Sequence, residues 1–112
     1  LKKDIAKKWV KALRSGKYGQ TTDELQDDGG FCCLGVLCEI APKKLRALSK
    51  EFNYKYLEGE DLDCQPAIKE WAGINSGAGV FENGENLVDY NDSATKDFDE
   101  IADIIEERWE EL

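Results

Sequence analysis

The run Phe31-Cys32-Cys33-Leu34-Gly35-Val36-Leu37-Cys38-Glu39-Ile40-Ala41 is apolar on nearly every side, and its reading decides the fold. Its length and leucine content favour a buried central helix over a strand. A helix without a polar face has to be covered by other elements all round. Gly35, in the middle, lets a second element come close, and Pro42 ends the run.

The cover is found on both sides. Upstream, Ile5, Ala6, Trp9, Val10, Ala12 and Leu13 recur at helical spacing from about residue 3, with lysines opposite, and Gly16 is a natural stop. Downstream, Phe98, Ile101, Ala102, Ile105, Trp109 and Leu112 form one apolar stripe on a helix that starts at Asp97, an N-cap with Glu100 three residues on. Pro66 suits the first turn of a shorter helix that carries Ile68 and Trp71 inward and stops at Gly73. Leu45, Leu48 and Phe52 among Lys43, Lys44, Arg46 and Lys50 predict a weaker amphipathic helix, followed by a short strand from Tyr54 to Leu57. Residues 17–30 read as a long polar loop with at most a short extended piece. Val80 to Leu87, with Asn83-Gly84 at its centre, predicts a hairpin with short arms. The expected fold is α+β, mainly α: a compact bundle of about four helices with a small β-hairpin, one domain over residues 1–112.

Apolar residues make up 41% and charged residues 35%, the profile of a folded, well-solvated chain. No run approaches the ~20 apolar residues of a membrane span, and the first lysines are not followed by an apolar stretch of signal-peptide type. The expectation is a protein without membrane contact in the host bacterial cytoplasm, with Cys32, Cys33, Cys38 and Cys64 as thiols. The net charge of -9 is unevenly spread. Residues 1–17 hold seven cations against Asp4 alone, and residues 97–112 hold eight acids against Arg108. Such blocks mean a solvated face or an electrostatic partner; the preferred reading is two terminal helices that lie close and partly neutralise each other.

The order of motifs carries a resemblance. Ala12-Leu13-Arg14-Ser15-Gly16-Lys17-Tyr18 with Gln20 is followed by Phe31 to Cys38, Glu70-Trp71-Ala72-Gly73, Asn91-Asp92 and Phe98-Asp99-Glu100-Ile101-Ala102-Asp103. Together they resemble a family of small proteins, carried largely by bacteriophages and related mobile elements, with no established activity. The sequence departs from that pattern at Thr21 to Glu24, where a more basic, glycine-rich stretch is common, and between Asp92 and Phe98, where a glycine is usual. The resemblance implies a phage setting and an accessory role.

Several chemistries can be weighed on the residues. Cys-Cys-x4-Cys with a lone Cys64 26 residues on is not a zinc spacing, and the chain has no His. Buried, inert thiols are therefore expected, with no metal and no cofactor. Without His, a cysteine nucleophile lacks its usual base. Asp89 and Asp92 beside Asn91 could hold Mg2+ or Ca2+, although a cap or turn is the commoner use of such residues. No catalytic residue is assigned.

The best ligand candidate is the turn Arg14-Ser15-Gly16-Lys17-Tyr18-Gly19-Gln20. Two cations, a hydroxyl and an aromatic ring could hold a phosphate and stack on a base. Trp71, Asn91 and Asp92 are candidate walls. The plainer alternative is a helix C-cap whose cations complement the dipole while Tyr18 packs on the core. The expected function is that of a non-enzymatic phage accessory protein acting in host takeover or counter-defence, with capture of a nucleotide-derived immune signal preferred. One alternative is an acidic inhibitor whose last helix mimics DNA charge and blocks a host defence protein; another is a small carboxylate-dependent nucleotide hydrolase. Lys2, Lys3, Lys7, Lys8 and Lys11 of the first helix could meet nucleic-acid phosphates, but direct nucleic-acid binding is disfavoured by the whole-chain charge.

Overall fold

A computed structural model describes residues 1–93 and 95–112. The element order is α1 (Lys3–Arg14), β1 (Gln26–Asp27), β2 (Gly30–Phe31), α2 (Cys33–Ile40), α3 (Pro66–Ala72), α4 (Leu87–Asp92) and α5 (Phe98–Arg108), with 3₁₀ turns at Lys43–Leu45, Leu62–Cys64 and Trp109–Glu111. The architecture is α+β, mainly α, around one hydrophobic core.

Helix α2 is central. Residues Cys33 to Cys38 are all buried, so no face of this stretch reaches water. The nearest cover on one side is the backbone of Leu25: a Cβ at Gly35 would stand 1.8 Å from the Leu25 carbonyl oxygen. Only glycine permits that approach. On another side lies α1, whose fully buried Trp9 donates its indole N–H to the Cys33 carbonyl at 2.9 Å. Helix α1 in turn packs most extensively on α5, which buries Phe98, Ile101, Ala102 and Ile105. The α5 start follows the sequence reading: the Asp97 carboxylate accepts from the Glu100 N–H, and the Glu100 carboxylate accepts from the Asp97 N–H. Helix α3 begins on Pro66 and ends at Gly73 in the left-handed region, φ +72°.

Three local expectations are corrected. The expected helix is reduced to the 3₁₀ turn Lys43–Leu45, and residues 46–52 form no helix. After the 3₁₀ turn the chain extends into a bridge between Leu48 and Leu57, within the expected Tyr54 to Leu57 strand segment. The cause lies outside the segment. Arg46 folds back to donate to the Cys38, Glu39 and Ala41 carbonyls and so caps the C-terminus of α2, while the fully buried Gln65 amide accepts from Ala47 N–H at 2.8 Å and donates to its carbonyl at 2.7 Å. The hairpin also lies elsewhere than expected. Strands β1 and β2 pair antiparallel within the stretch read as loop, Gln26 opposite Phe31 and Asp27 opposite Gly30. Around Asn83-Gly84 a single bridge joins Val80 and Asn86. There the second arm is lost to α4, because the Asn86 side chain caps that helix by accepting from Asp89 N–H at 2.8 Å. Lastly, Trp71 is half-buried beside the core, in contrast to the fully buried Ile68.

Replacing Gly35 by Ala is expected to destabilise the protein by roughly 3 kcal/mol, since Leu25 backbone must move to admit a methyl group. Urea unfolding monitored by circular dichroism measures the loss; a change under about 0.5 kcal/mol would contradict the close contact.

Candidate functional site

Helix α1 reaches the surface with Lys3, Lys7 and Lys11 along one edge, at successive four-residue steps. That spacing places them one above another. They line a groove of about 720 Å³ whose apolar residues are Ala6, Val10 and Trp109; Arg14, Ser15, Lys17 and Glu106 complete its wall. Five cations thus stand against one carboxylate in a chain of net charge -9. Trp109 is available because α5 ends at Arg108 and the chain turns into a 3₁₀ segment, leaving the indole half-buried.

Two smaller depressions share lining residues in series with the groove. Arg14 is shared with one of about 270 Å³ lined by Leu13, Gly16, Tyr18, Gln20 and the start of α5. Gln20 and Asp97 are shared with the next, of about 350 Å³, which reaches Asn91 and Lys96. Of the residues singled out in the sequence, Arg14, Ser15, Lys17, Tyr18, Gln20 and Asn91 line one or another of these three neighbouring depressions. Asp92 stands just behind them, and Trp71 lines none of the three.

Most polar groups in these depressions already have partners. Arg14 donates to Glu106 at 2.8 Å and to Asp103 at 2.7 Å, the contact by which the terminal helices partly neutralise each other. Hydrogen bonding to Arg14 holds the Glu106 carboxyl below the usual range, and hydrogen bonding to Glu106 and Asp103 pushes the guanidinium further up. The Ser15 hydroxyl donates to the Ala12 carbonyl at 2.6 Å and accepts from Lys17 N–H, closing the helix end before Gly16. Tyr18 meets Phe31 edge-on at 5.4 Å. By contrast, Lys3, Lys7, Lys11 and Lys17 form no ion pair among the described residues.

Gln20, Asn91 and Asp92 form a structural junction. The buried Asn91 oxygen accepts from Cys33 N–H at 3.1 Å and from the Gln20 amide at 3.0 Å. Its amide donates to the Thr21 carbonyl at 2.8 Å and to the Asp92 carboxylate at 3.1 Å, which also accepts from Asp23 N–H. One side chain therefore joins α4, the first turn of α2 and the loop before β1. Asp89 is similarly engaged, since its carboxylate accepts from the Asn86 amide at 2.9 Å.

The cysteines divide three to one. Cys32, Cys33 and Cys38 are buried, and desolvation pushes all three thiols up, Cys32 to about 11. Cys64 is exposed, which corrects the expectation that all four are buried.

The sequence reading considered Lys3, Lys7 and Lys11 only as phosphate contacts for nucleic acid, a use it disfavoured, and missed the groove that they share with Trp109. Their signal was present as the four-residue lysine spacing, but an amphipathic helix with a solvated basic side has the same pattern.

The fold defines a small, mainly helical α+β domain built round one buried helix. Residues 1–109 match the family described as Domain of unknown function (DUF8296), and the chain belongs to that family. No curated protein and no solved structure matches it.

A thiol reagent such as Ellman's is expected to modify one cysteine of the native protein rapidly and the other three only on unfolding. Rapid labelling of more than one would contradict the burial of α2. Replacing Asn91 by Ala removes the acceptor for Cys33 N–H and Gln20 together and is expected to cost about 2 to 4 kcal/mol of stability in chemical denaturation.

Proposed function

We propose that this protein is a non-enzymatic binding protein that captures a small nucleotide-type ligand in the groove between α1 and Trp109. In the phage setting that the resemblance implies, it acts as an accessory protein in host takeover or counter-defence by sequestering a nucleotide-derived immune signal. The observation that carries the reading is the set of unpaired lysines around an apolar floor with an indole, in a chain whose surplus charge is acidic. An anionic ligand with a flat apolar part matches both halves of that lining: the ammonium groups take its phosphates, and the indole takes its base. The volume of about 720 Å³ suits a ligand of this size.

Lys17 supplies an anion contact beside the helix end, and Tyr18 and Gln20 extend the site along the neighbouring depressions. Arg14 acts from within its pairs with Asp103 and Glu106. Those same pairs weigh against the rival reading of α5 as a DNA-charge mimic, because two carboxylates of its array already face a guanidinium.

The test is a thermal-shift and calorimetric panel of AMP, cyclic nucleotides and ADP-ribose. A binder present at 100 times its Kd stabilises the fold by about 2.7 kcal/mol. The expected result is at least one such ligand, with binding lost in Lys7→Glu/Lys11→Glu, weakened at least ten-fold in Trp109→Ala and unchanged in Glu107→Lys/Glu110→Lys. The reading fails if none of the panel stabilises the protein.

A further inference from the structure

We infer that the groove is built for a ligand whose phosphates are spaced along its length, a dinucleotide in place of a mononucleotide; the inference rests on the capture reading above and specifies its ligand class. In a mononucleotide the charge is gathered at one end, so a matching site gathers its cations at one point. Here the cations form a row. Lys3, Lys7 and Lys11 lie on one helix edge at four-residue steps, so their Cα atoms follow one another at about 6 Å and span about 12 Å. Successive phosphates of a nucleotide chain are separated by about one such step.

The second observation is the position of the floor. Ala6 and Val10 lie between the lysines in sequence, on an adjoining four-residue row of the same helix, and Trp109 lies across from them. The apolar strip therefore runs beside the row of charges. A ligand with its phosphates on one edge and its bases on the other meets both together, whereas one base with a terminal phosphate group covers only part of either.

The third observation concerns availability. Arg14, on the adjoining row with Ala6 and Val10, is held by Asp103 and Glu106. The lysines of the row have no such partners among the described residues, although acids outnumber bases 24 to 15 in the chain. Their ammonium groups are free to meet phosphates without breaking an existing ion pair.

The experiment is calorimetric titration of the whole chain with the linear diribonucleotide 5′-pApA, with AMP and with inorganic pyrophosphate, at three salt concentrations. The diribonucleotide is expected to bind at least ten-fold more tightly than either of the others. Its log affinity is expected to fall more steeply with log salt than that of AMP, by a slope of roughly 0.7 for the added phosphate. In Lys3→Ala/Lys11→Ala the advantage of 5′-pApA over AMP should shrink to under three-fold, the diribonucleotide losing more affinity than AMP. Thermal unfolding of that variant at the wild-type temperature shows that the fold is intact. If AMP binds as tightly as 5′-pApA, the inference is overturned and nucleotide capture stands. If pyrophosphate matches 5′-pApA, the apolar strip plays no part and the inference falls. If no nucleotide binds at all, it falls together with the capture reading.

Discussion

The constraint on which the structure depends is the burial of α2 from Cys33 to Cys38. Six consecutive buried residues leave this stretch of helix no face for water, and the helix ends carry backbone groups that need partners. Each neighbour of α2 covers apolar surface, satisfies one of those groups, or does both. Trp9 does both, with its ring in the core and its N–H on the Cys33 carbonyl. Asn91 takes the Cys33 N–H at one end, and Arg46 takes three carbonyls at the other. Among the described residues no buried side-chain nitrogen or oxygen lacks a partner. The buried polar groups thus form a short set of fixed junctions, and each fixes the position of a segment that has little regular structure of its own.

How much of this was legible in the sequence follows from the range of the interactions. Helices α1, α2 and α5 announce themselves through apolar periodicity or its absence, and α3 through Pro66 and Gly73, all local signals. The segment at residues 45–52 has the residues of a weak helix, yet Arg46 and Ala47 are held by α2 and Gln65, and contacts of that kind override a modest propensity. Asn83-Gly84 does make its turn, but Asn86 is also a good helix cap, and capping consumes the arm that a hairpin needed. The turn signals at Asp27 to Gly30 were equally visible; pairing there depends on the loop being drawn against α2 through Leu25, which no local pattern encodes.

The site was legible only in part for the same reason. The turn from Arg14 to Gln20 stood out by composition, and the neighbouring depressions do bring most of its side chains together with Asn91. What could not be read was the division of labour within it. Ser15 closes a helix, Tyr18 packs on Phe31, and Gln20 joins a junction with Asn91, so their polar groups are largely committed to the fold. The groove itself exists because Trp109, near one end of the chain, comes to rest beside α1, near the other. A periodicity argument places Trp109 in the core stripe of α5, and only the end of that helix at Arg108 releases it.

The opposed charges of the terminal helices follow from this arrangement. One arginine accounts for the direct pairing of α1 with α5, and its planar fork suits two carboxylates at once. Lys3, Lys7 and Lys11 of the same helix stand one residue row outside Ala6, Val10 and Arg14, beside that seam and not in it. Their aliphatic stems are compatible with an apolar floor while their ammonium groups remain at its rim. Net charge is thus a poor guide to what this protein attracts: acids outnumber bases 24 to 15 in the chain, yet five of the fifteen bases line one apolar groove with a single carboxylate. Within a Debye length of about 8 Å at physiological salt, an anion in the groove responds mainly to the nearby lysines and less to the distant acids.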